Sequence, residues 1–432
     1  MKKAYLYIAL IAVALLFSGC NMRTIDQMYH VPKRSESYTN LQSQIDKAMT
    51  QAEFNAPISG ENRQSVQMAD LDGDGESEYL VFAKSNGEKP LHVYIFDGED
   101  GKFTLADTLS SAGAAFQQVE YVQIDGRKGM EVVIGRQVSD QVSRTVNVYS
   151  MVNGKMQEIL SANTTRFVCQ DMDRDGNSEI IMFRPSNSVG ENGIAEMYRM
   201  HDGEMKNYAH AMLSVPSDKI RRIVVSKLAS GESAVLVAGD LGENTIVTDV
   251  FSVIDGAFSN IISSGIQTSR DEAIYADDID DDGVMELPAL ITMNMPEGSA
   301  PASRQYLIRW YALESDGTQI DKMFTYHNYD GGWYVRLDSK LAGNMAVVAK
   351  GSSCEFYVWD QMVVKKIMTV HALTGQKREE QAVINNRFVL HRTESTVYCG
   401  ELEVASAAYG MNKDTLINAF QLIQQDWYTG ET

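Results

Sequence analysis

The sequence has few of the residues that build disulfide-rich or nucleic-acid-binding proteins. Its 432 residues include 4 cysteines, 8 prolines and 7 histidines. Four cysteines are too few to staple a chain of this length, which is long enough to bury a core without them. Lysine and arginine together number 38, against 58 aspartates and glutamates, so the formal charge is −20. This balance argues against a nucleic-acid partner, which requires a basic surface.

Long apolar runs are also missing, apart from a short one near the N-terminus. Residues 4–17 are apolar, follow Lys2 and Lys3, and are followed by small residues before Cys20. The run is shorter than the roughly 20 residues that a membrane-spanning helix needs. Its basic start and its small residues at the end are typical of a secretory signal peptide.

The residues that end at Cys20 resemble the lipobox of bacterial lipoproteins, whose cysteine is lipidated and becomes the new N-terminus. They read Leu16-Phe17-Ser18-Gly19-Cys20, whereas families usually carry Leu at the position of Phe17. The resemblance implies a signal peptide over residues 1–19, a polar tether over 20–39, and an extracytoplasmic protein anchored to a bacterial membrane by lipid on Cys20. An ordinary signal peptide with an incidental cysteine is the alternative.

Three cysteines remain after Cys20, namely Cys169, Cys354 and Cys399. An odd number cannot pair completely within one chain. Cys354 and Cys399 either form a disulfide or stay as single buried thiols.

An acidic motif of the form DxDxDGxxE occurs three times, with copies that begin 101 and 107 residues apart. Degenerate copies begin at Gln123, Ser226 and Ser339, so the repeating unit is about 50 residues long. The acidic residues of the complete copies are Asp70, Asp72, Asp74 and Glu78; Asp171, Asp173, Asp175 and Glu179; and Asp278, Asp280, Asp282 and Glu286.

A second marker repeats with the same period: an aromatic residue shortly before Asp-Gly or Asn-Gly. It occurs at Tyr94, Tyr149, Tyr198, Phe251 and Tyr311. Between the markers, short β-branched and aromatic runs alternate with turn residues, which is the pattern of β-strands. Four strands per unit predict an all-β fold, a β-propeller of six or seven four-stranded blades. A β-sandwich also has many short strands, but it does not require this regular period.

The two ends of the chain differ from the repeats. Residues 40–52 predict an N-terminal helix with Leu41 and Ile45 on its apolar face. A second helix is predicted after Asn412, with an apolar face formed by Leu416, Phe420, Ile423 and Trp427. We therefore expect a propeller with its leading helix over residues 40–365. Residues 366–432 are then a degenerate blade or a small α/β region that ends in a helix.

The acidic loops have the composition of calcium sites. Ca²⁺ prefers six to eight oxygen ligands, and carboxylates at positions 1, 3 and 5 with Gly at position 6 can wrap one ion. An EF-hand also needs Glu at position 12, where the three loops have Val81, Met182 and Ala289. The alternative is a set of solvated turns without metal, since Asp and Asn favour turns. In the degenerate copy, Arg127 and Lys128 make binding of a cation unfavourable.

DxDxDGxxE loops in repeats of about 50 residues resemble the FG-GAP/VCBS repeats of integrin-α-like β-propellers. The resemblance covers residues 60–365. It implies one calcium ion in the first hairpin of selected blades, held by the twelve acidic residues named above. Two features depart from the family: Glu replaces Asp or Asn at position 9, and the Phe-Gly and Gly-Ala-Pro elements are missing.

No catalytic motif is present: the sequence contains no HExxH, no GxSxG and no P-loop. We therefore expect a non-enzymatic, calcium-stabilised binding module for protein or glycan. An exported polysaccharide hydrolase or lyase on a propeller scaffold is the alternative, because propeller enzymes assemble sites from several blades. A role in envelope assembly or sensing is a third interpretation.

Overall fold

The computed structural model describes residues 36–99, 101–138, 144–186, 191–293, 306–360 and 363–423. Cys20 and most of the predicted tether therefore lie outside the described residues. Within the described ranges, the chain is mostly β and forms six antiparallel sheets, here called I to VI. No helix in these ranges has both the length and the apolar character needed to span a bilayer.

Sheets I to III come from the first half of the chain, and consecutive strands are antiparallel neighbours, except that the first two strands of sheet I both pair with its third strand. Sheet I contains β1 (Ala52–Phe54), β2 (Val66–Ala69), β3 (Glu78–Ser85), β4 (Leu91–Glu99) and β5 (Lys102–Ser111). Sheet II contains β6 (Ala115–Val122), β7 (Glu131–Gln137), β8 (Arg144–Val152) and β9 (Lys155–Thr164). Sheet III contains β10 (Arg166–Gln170), β11 (Glu179–Arg184), β12 (Ile194–His201) and β13 (Glu204–Met212).

Sheets IV to VI come from the second half, and the last two each gain a fifth strand. Sheet IV contains β14 (Ile220–Lys227), β15 (Ser233–Gly242), β16 (Thr245–Ile254) and β17 (Ala257–Asn260). Sheet V contains β18 (Leu287–Thr292), β19 (Tyr306–Leu313), β20 (Gln319–Asn328), β21 (Trp333–Leu337) and β27 (Phe420–Leu422). Sheet VI contains β22 (Met345–Lys350), β23 (Ser353–Asp360), β24 (Val363–Thr374), β26 (Thr396–Leu402) and β25 (Phe388–Arg392).

The repeated aromatic residue occupies one equivalent position in the sheets. The residue that follows position 9 of each loop pairs with it, as in Val132 with Tyr149, Ile180 with Tyr198 and Leu287 with Tyr311. In sheet I the corresponding residue, Tyr79, pairs with Phe96. The aromatic residue of the first repeat is therefore Phe96, two residues after the predicted Tyr94. The repeat is therefore a structural unit, with one strand pairing recurring from sheet to sheet.

The hydrophobic core is divided into clusters that join each sheet to the next one in the sequence. Separate clusters join sheets I and II, II and III, III and IV, IV and V, and V and VI. The strands β7 and β11 are buried over most of their length, which suits sheets covered on both faces. The sheets thus pack in chain order, as successive layers.

The outer faces of the first and last sheets differ in what covers them. The helix α1 (Glu36–Ala48) covers sheet I, with Leu41 and Ile45 packed on Val81 and Phe96. The outer face of sheet VI is mixed: it carries ion pairs such as Lys350–Glu355 at 2.6 Å and Lys366–Glu403 at 2.8 Å, and a small apolar cluster in which Leu373, Val397 and Cys399 pack against Ala382. Among the described residues, no hydrophobic cluster joins sheet VI to sheet I, so a closed ring of sheets is not observed.

The N-terminal helix is confirmed, although it begins and ends about four residues earlier than predicted. It ends at Ala48, is followed by a 3₁₀ turn over Met49–Gln51, and the chain enters β1 at Ala52. The C-terminal helix α4 (Lys413–Ala419) begins at the predicted cap, Asn412, but it is shorter than predicted. It ends because Phe420 pairs with Val335 at the edge of sheet V; Trp427 lies outside the described residues.

The other parts of the C-terminal region attach to sheet VI. The predicted boundary of the C-terminal region at residue 365 lies within the strand β24. The short helix α3 (Arg378–Gln381) follows this strand, and β25 and β26 then complete the sheet. The degenerate copy at Ser339 forms a helical turn, α2 (Ser339–Ala342), capped by Asp338. Cys169, Cys354 and Cys399 are free thiols, so the pairing of Cys354 with Cys399 is not observed.

Loops of neighbouring sheets are joined at one end by equivalent hydrogen bonds. The Met130 N–H donates to the Asp70 carbonyl at 2.9 Å, and the Ser178 N–H donates to the Gln123 carbonyl at 2.6 Å. Farther along, the Met285 N–H donates to the Ser226 hydroxyl at 2.9 Å. Gly129 allows the first of these contacts, because a Cβ there would lie 2.4 Å from the Leu71 carbonyl oxygen.

Gly129→Ala is expected to separate these loops and to destabilise the protein. The substitution combines a left-handed φ of +94° with a backbone clash, so we expect a loss of about 3 kcal/mol in unfolding free energy. Gly154→Ala is the matched control: its φ is +69°, but nothing lies within 4 Å of the added Cβ. Denaturant unfolding of both variants measures the difference, and equal losses would show that the loop contact contributes nothing.

Candidate metal centres in the acidic loops

The three complete loops share one backbone conformation. Each links the first strand of a repeat, or the segment in its place, to the second, and in each the first aspartate accepts the N–H of the glycine at position 6. The distances are 3.1 Å from Gly75 to Asp70, 3.0 Å from Gly176 to Asp171 and 2.8 Å from Gly283 to Asp278. These glycines have φ between +81° and +96°, which favours glycine at that position.

The glutamate at position 9 is buried in all three loops. Glu78, Glu179 and Glu286 are at most 2 % exposed. One carboxylate oxygen of each accepts the N–H of the residue at position 2, at 2.6, 2.8 and 3.0 Å respectively. The longer side chain, which departs from the family pattern, thus reaches back and holds the start of the loop.

The structure brings three acidic side chains of each loop together, with one carboxylate oxygen from each within 4.8 Å of the others. Asp74, Asp175 and Glu286 lie outside these groups of three. Asp74 and Asp175 instead accept backbone N–H groups two residues ahead, each at 2.8 Å. The groups are Asp70, Asp72 and Glu78; Asp171, Asp173 and Glu179; and Asp278, Asp280 and Asp282.

Unpartnered oxygens in the third loop fit a bound cation. Glu286 is fully buried, and its Oε1 has no hydrogen-bond partner in the described part of the chain. The same is true of the buried Oδ1 of Asp280. Burying an unpaired carboxylate oxygen is costly, and a hard divalent cation coordinated by such oxygens removes that cost. The donor set of oxygens alone suits Ca²⁺ rather than a softer metal.

Burial also raises the pKa of the glutamates in these loops. Desolvation raises the pKa of Glu78, Glu179 and Glu286 to about 7, and the neighbouring aspartates add to the shift. Raised pKa values of this kind mark carboxyls whose charge lacks compensation. A divalent cation would supply that compensation and keep the carboxyls ionised.

The degenerate loop in sheet II keeps the buried glutamate of the other loops, although its second left-handed glycine is Gly129 at position 7 and not at position 6. Glu131 is 3 % exposed and accepts the Ile124 N–H at 2.7 Å, as the other three glutamates do at their loops. The Arg127 guanidinium donates to the Asp125 carboxylate at 2.7 Å and to the Ser150 hydroxyl at 2.8 Å, and Ser150 donates to Glu131 at 2.9 Å. In this loop an arginine thus supplies a positive charge directly between the buried carboxylates.

The neighbouring charges differ among the three complete loops. Asp97 adds a negative charge that raises the pKa of Asp72 and Glu78 in the first loop. Arg199 lies 3.3 Å from Asp173 in the second loop. Lys322 pairs with Asp282 and lies 3.7 Å from Asp280 in the third. Within the described ranges, no basic side chain forms an ion pair with the first loop, which is therefore the most electronegative of the three.

Sequence reasoning did not identify these neighbouring residues. Asp97, Ser150 and Arg199 each follow the aromatic residue of the repeat, at Phe96, Tyr149 and Tyr198. That adjacency is the signal that would have found them. Lys322 has no such signal, because it lies at a β-bulge between β19 and β20.

A polar cavity of about 320 Å³ adjoins the second acidic loop. It lies between that loop and the degenerate loop of sheet II. Its polar lining consists of the carboxylates of Asp125, Asp175 and Glu179, the guanidinium of Arg199 and the amide of Asn177.

Comparison with known proteins gives distant structural similarities only. No family model matches the chain, and no curated protein matches it. Three solved rhamnogalacturonan lyases are similar. The exotype lyase YesX is 12% identical, and the match covers 70% of this chain and 60% of YesX with a TM-score of 0.27. YesW is 13% identical, with 73% of this chain and 67% of YesW covered and a TM-score of 0.29, and the PL11 lyase of Bacillus licheniformis is 11% identical, with 73% of this chain and 74% of the lyase covered and a TM-score of 0.32. The chain thus spans 60% of the length of YesX.

Proposed function

We propose that the chain is a calcium-stabilised scaffold with one Ca²⁺ ion in each of the three acidic loops. The observation that carries this proposal is the contrast between loops that share one frame. Where Arg127 supplies a positive charge, the buried carboxylates are hydrogen-bonded and paired. Where no arginine takes that place, three carboxylates converge, and the buried oxygens of Glu286 and Asp280 stay without a hydrogen-bond partner in the described residues.

The six sheets are, in this proposal, the blades of a β-propeller with an open side between sheets I and VI. The packing of each sheet on the next and the equivalent loop bonds support a regular array of blades. The helix α1 and the outer face of sheet VI would then border the opening. The acidic loops would all lie at the same end of the array.

The array is proposed to act outside the cytoplasm, tethered to a bacterial membrane by lipid on Cys20, as a non-enzymatic binding module for glycan or protein. The cavity beside the second loop supports a binding role. Calcium held by Asp171, Asp173 and Glu179 would lie near Asp175 and Asn177, which line the cavity. Hydroxyl or carboxylate oxygens of a ligand would complete the coordination of the ion, since Ca²⁺ takes six to eight oxygens.

A glycan array probed with the protein in calcium and in chelator tests this function. We expect calcium-dependent binding, followed by saturable titration of the best ligand without product formation. Asp175→Asn should weaken that binding, whereas Asp74→Asn, at the equivalent position of the first loop, should leave it unchanged. Calcium-independent binding would contradict the proposed site, and turnover of a bound polysaccharide would favour a hydrolase or lyase instead.

Calcium affinity is expected to fall as the pH is lowered. The buried glutamates of the metal-free loops have pKa values of about 7, so protons compete with the ion below that pH. For one such carboxyl, affinity should fall about tenfold between roughly pH 8 and pH 6. Calorimetric titration at the two pH values measures this, and equal affinities would show that the glutamates do not bind the ion.

The metal-free protein should show the opposite dependence on pH. The folded-state pKa of these glutamates is raised above the unfolded value of 4.5. Their contribution to stability is therefore greatest below that value and is lost as the pH rises through about 7. In chelator, the melting temperature should consequently be higher near pH 5.5 than near pH 8.

A further inference from the structure

A serine, a histidine and a glutamate come together on the outer face of sheet VI, apart from the acidic loops. Ser353 is the first residue of β23, directly after the turn formed by Gly351 and Ser352. It pairs with His371 on β24, and Glu401 lies diagonally opposite that histidine on the adjacent strand β26. Residues that are direct or diagonal neighbours across antiparallel strands can interact through their side chains.

The side chains of these three residues contact one another in order. The Ser353 hydroxyl lies 2.7 Å from Nδ1 of His371, and Nε2 of His371 lies 3.4 Å from Oε2 of Glu401. Of the two neutral tautomers of the imidazole, the one with its proton on Nε2 satisfies both contacts. The Ser353 hydroxyl then donates to Nδ1, and the Nε2–H donates to the carboxylate. This is the order of a nucleophile, a general base and a group that orients the base.

The imidazole of His371 is suited to accept a proton. His371 is 7 % exposed, and its burial together with the positive charge of Arg387 lowers its pKa, whereas Glu401 opposes that shift. The ring is therefore neutral near pH 7, as a general base must be. Ser353 is only half-buried and lies at the end of a hairpin, so its hydroxyl is close to the protein surface.

Lys350 places a positive charge beside the serine. It is the residue of β22 that pairs directly with Ser353, and its side chain is largely exposed. Its ammonium binds the Glu355 carboxylate at 2.6 Å on the same face of the sheet. An ammonium in this position can stabilise the oxyanion that forms when Ser353 attacks a carbonyl group.

We propose that Ser353 is the nucleophile of an ester-cleaving site, with His371 as its general base and Glu401 as the residue that positions the histidine. Nδ1 of His371 takes the hydroxyl proton while the serine oxygen bonds to the ester carbonyl carbon. The same proton passes to the leaving alkoxide as the ester C–O bond breaks, and the acyl group stays on Ser353. Attack by water, again with His371 as base, releases the acid and restores the serine. The substrate class is an ester rather than an amide, because an alkoxide leaves more readily than an amide anion.

This site goes beyond the proposed binding role and does not depend on it. None of its residues belongs to an acidic loop or to the lining of the cavity beside the second loop. Cleavage of an ester also leaves glycosidic bonds intact, so it is distinguishable from a polysaccharide hydrolase or lyase activity.

Labelling with a fluorophosphonate provides the direct test, because such probes react with activated serine hydroxyls. The serine oxygen bonds to phosphorus, fluoride leaves, and His371 takes the proton. We expect one label per molecule, located on Ser353 by mass spectrometry. Ser353→Ala should abolish labelling, and Ser352→Ala, at the adjacent exposed serine, should preserve it. Absence of the label from the unmodified protein, or its presence on another residue, would overturn the proposal.

Hydrolysis of p-nitrophenyl acetate measures the roles of the other two residues. His371→Gln should lower kcat by at least about 100-fold. Glu401→Gln should lower kcat and leave KM unchanged, because the glutamate positions the base and does not contact the ester. If His371→Gln does not fold, fluorophosphonate labelling of the unmodified protein still decides the question. Hydrolysis that persists in Ser353→Ala, or an unchanged kcat in His371→Gln, would show that the three side chains are a structural contact only.

Discussion

Removal of calcium by a chelator is expected to lower the melting temperature of the protein by at least about 5 °C. Each metal-free loop places one oxygen from each of three carboxylates within 4.8 Å of the others, and in the third loop buried oxygens of Asp280 and Glu286 have no hydrogen-bond partner in the described ranges. Loss of the ion restores both the mutual repulsion and the cost of burial. Because bonds between neighbouring loops hold the sheets together at this end, the destabilisation should reach beyond the loops themselves.

Thermal unfolding in excess chelator and in added calcium measures this effect. Glu78→Gln should reduce the stabilisation by calcium, since it removes a carboxylate charge from the most electronegative loop. Glu131→Gln is the matched control: it changes the equivalent glutamate of the arginine-containing loop and should leave the calcium dependence intact. A melting temperature that is the same in chelator and in calcium would rule out structural calcium in these loops.

The three sites should also differ in affinity. Lys322 is already paired with carboxylates of the third loop, so an incoming ion must displace it. Arg199 opposes binding at the second loop in the same way, through Asp173. We therefore expect stepwise binding, with the first loop filled at the lowest calcium concentration.

The repeats could be predicted from the sequence because their signals are local. An acidic turn, an aromatic residue and short apolar runs recur about every 50 residues, and each repeat corresponds to one antiparallel sheet. The arrangement at the two ends could not be predicted this way. The presence of ion pairs on the outer face of sheet VI depends on which side of β23 carries Glu355, and this follows from strand register rather than from composition.

The loops could also be predicted in part. The spacing of the aspartates identified the three groups, because a single turn brings positions 1 and 3 together. The burial of Glu78 and its equivalents was less predictable, since it depends on the sheet packed behind each loop. Lys322 and Asp282 are in contact although they lie 40 residues apart in the sequence. Contacts of this kind leave no local pattern from which they could be predicted.

Replacement of Arg127 should destabilise the protein in a way that calcium cannot repair. Arg127→Met leaves the Asp125 side chain, 6 % exposed, without its ion pair, and it also removes the positive charge beside the buried Glu131. Burial alone would raise the pKa of Asp125, but hydrogen bonds and the charge of Arg127 hold it below its ordinary value. We expect a loss of roughly 1–3 kcal/mol, reduced from the cost of breaking a fully buried pair because half of the arginine is exposed. That loss should shrink as the pH falls and Asp125 becomes protonated, since a lowered pKa stabilises the folded state only above it.

Unfolding in chelator and in calcium distinguishes the role of the arginine from that of a calcium loop. Arg127→Met should lower the melting temperature by the same amount in calcium and in chelator, because position 1 of its loop is Gln123 and offers no carboxylate. The triple variant Gln123→Asp, Arg127→Asp, Lys128→Gly restores positions 1, 3, 5 and 6 of the acidic pattern, so added calcium should raise its melting temperature by more than that of the unmodified protein. Arg392→Met, which breaks an exposed ion pair with Glu379 in sheet VI, is the control and should have little effect. If calcium raises the melting temperature of the triple variant no more than that of the unmodified protein, and Arg127→Met is as stable as the unmodified protein, then charge compensation is not what holds these loops.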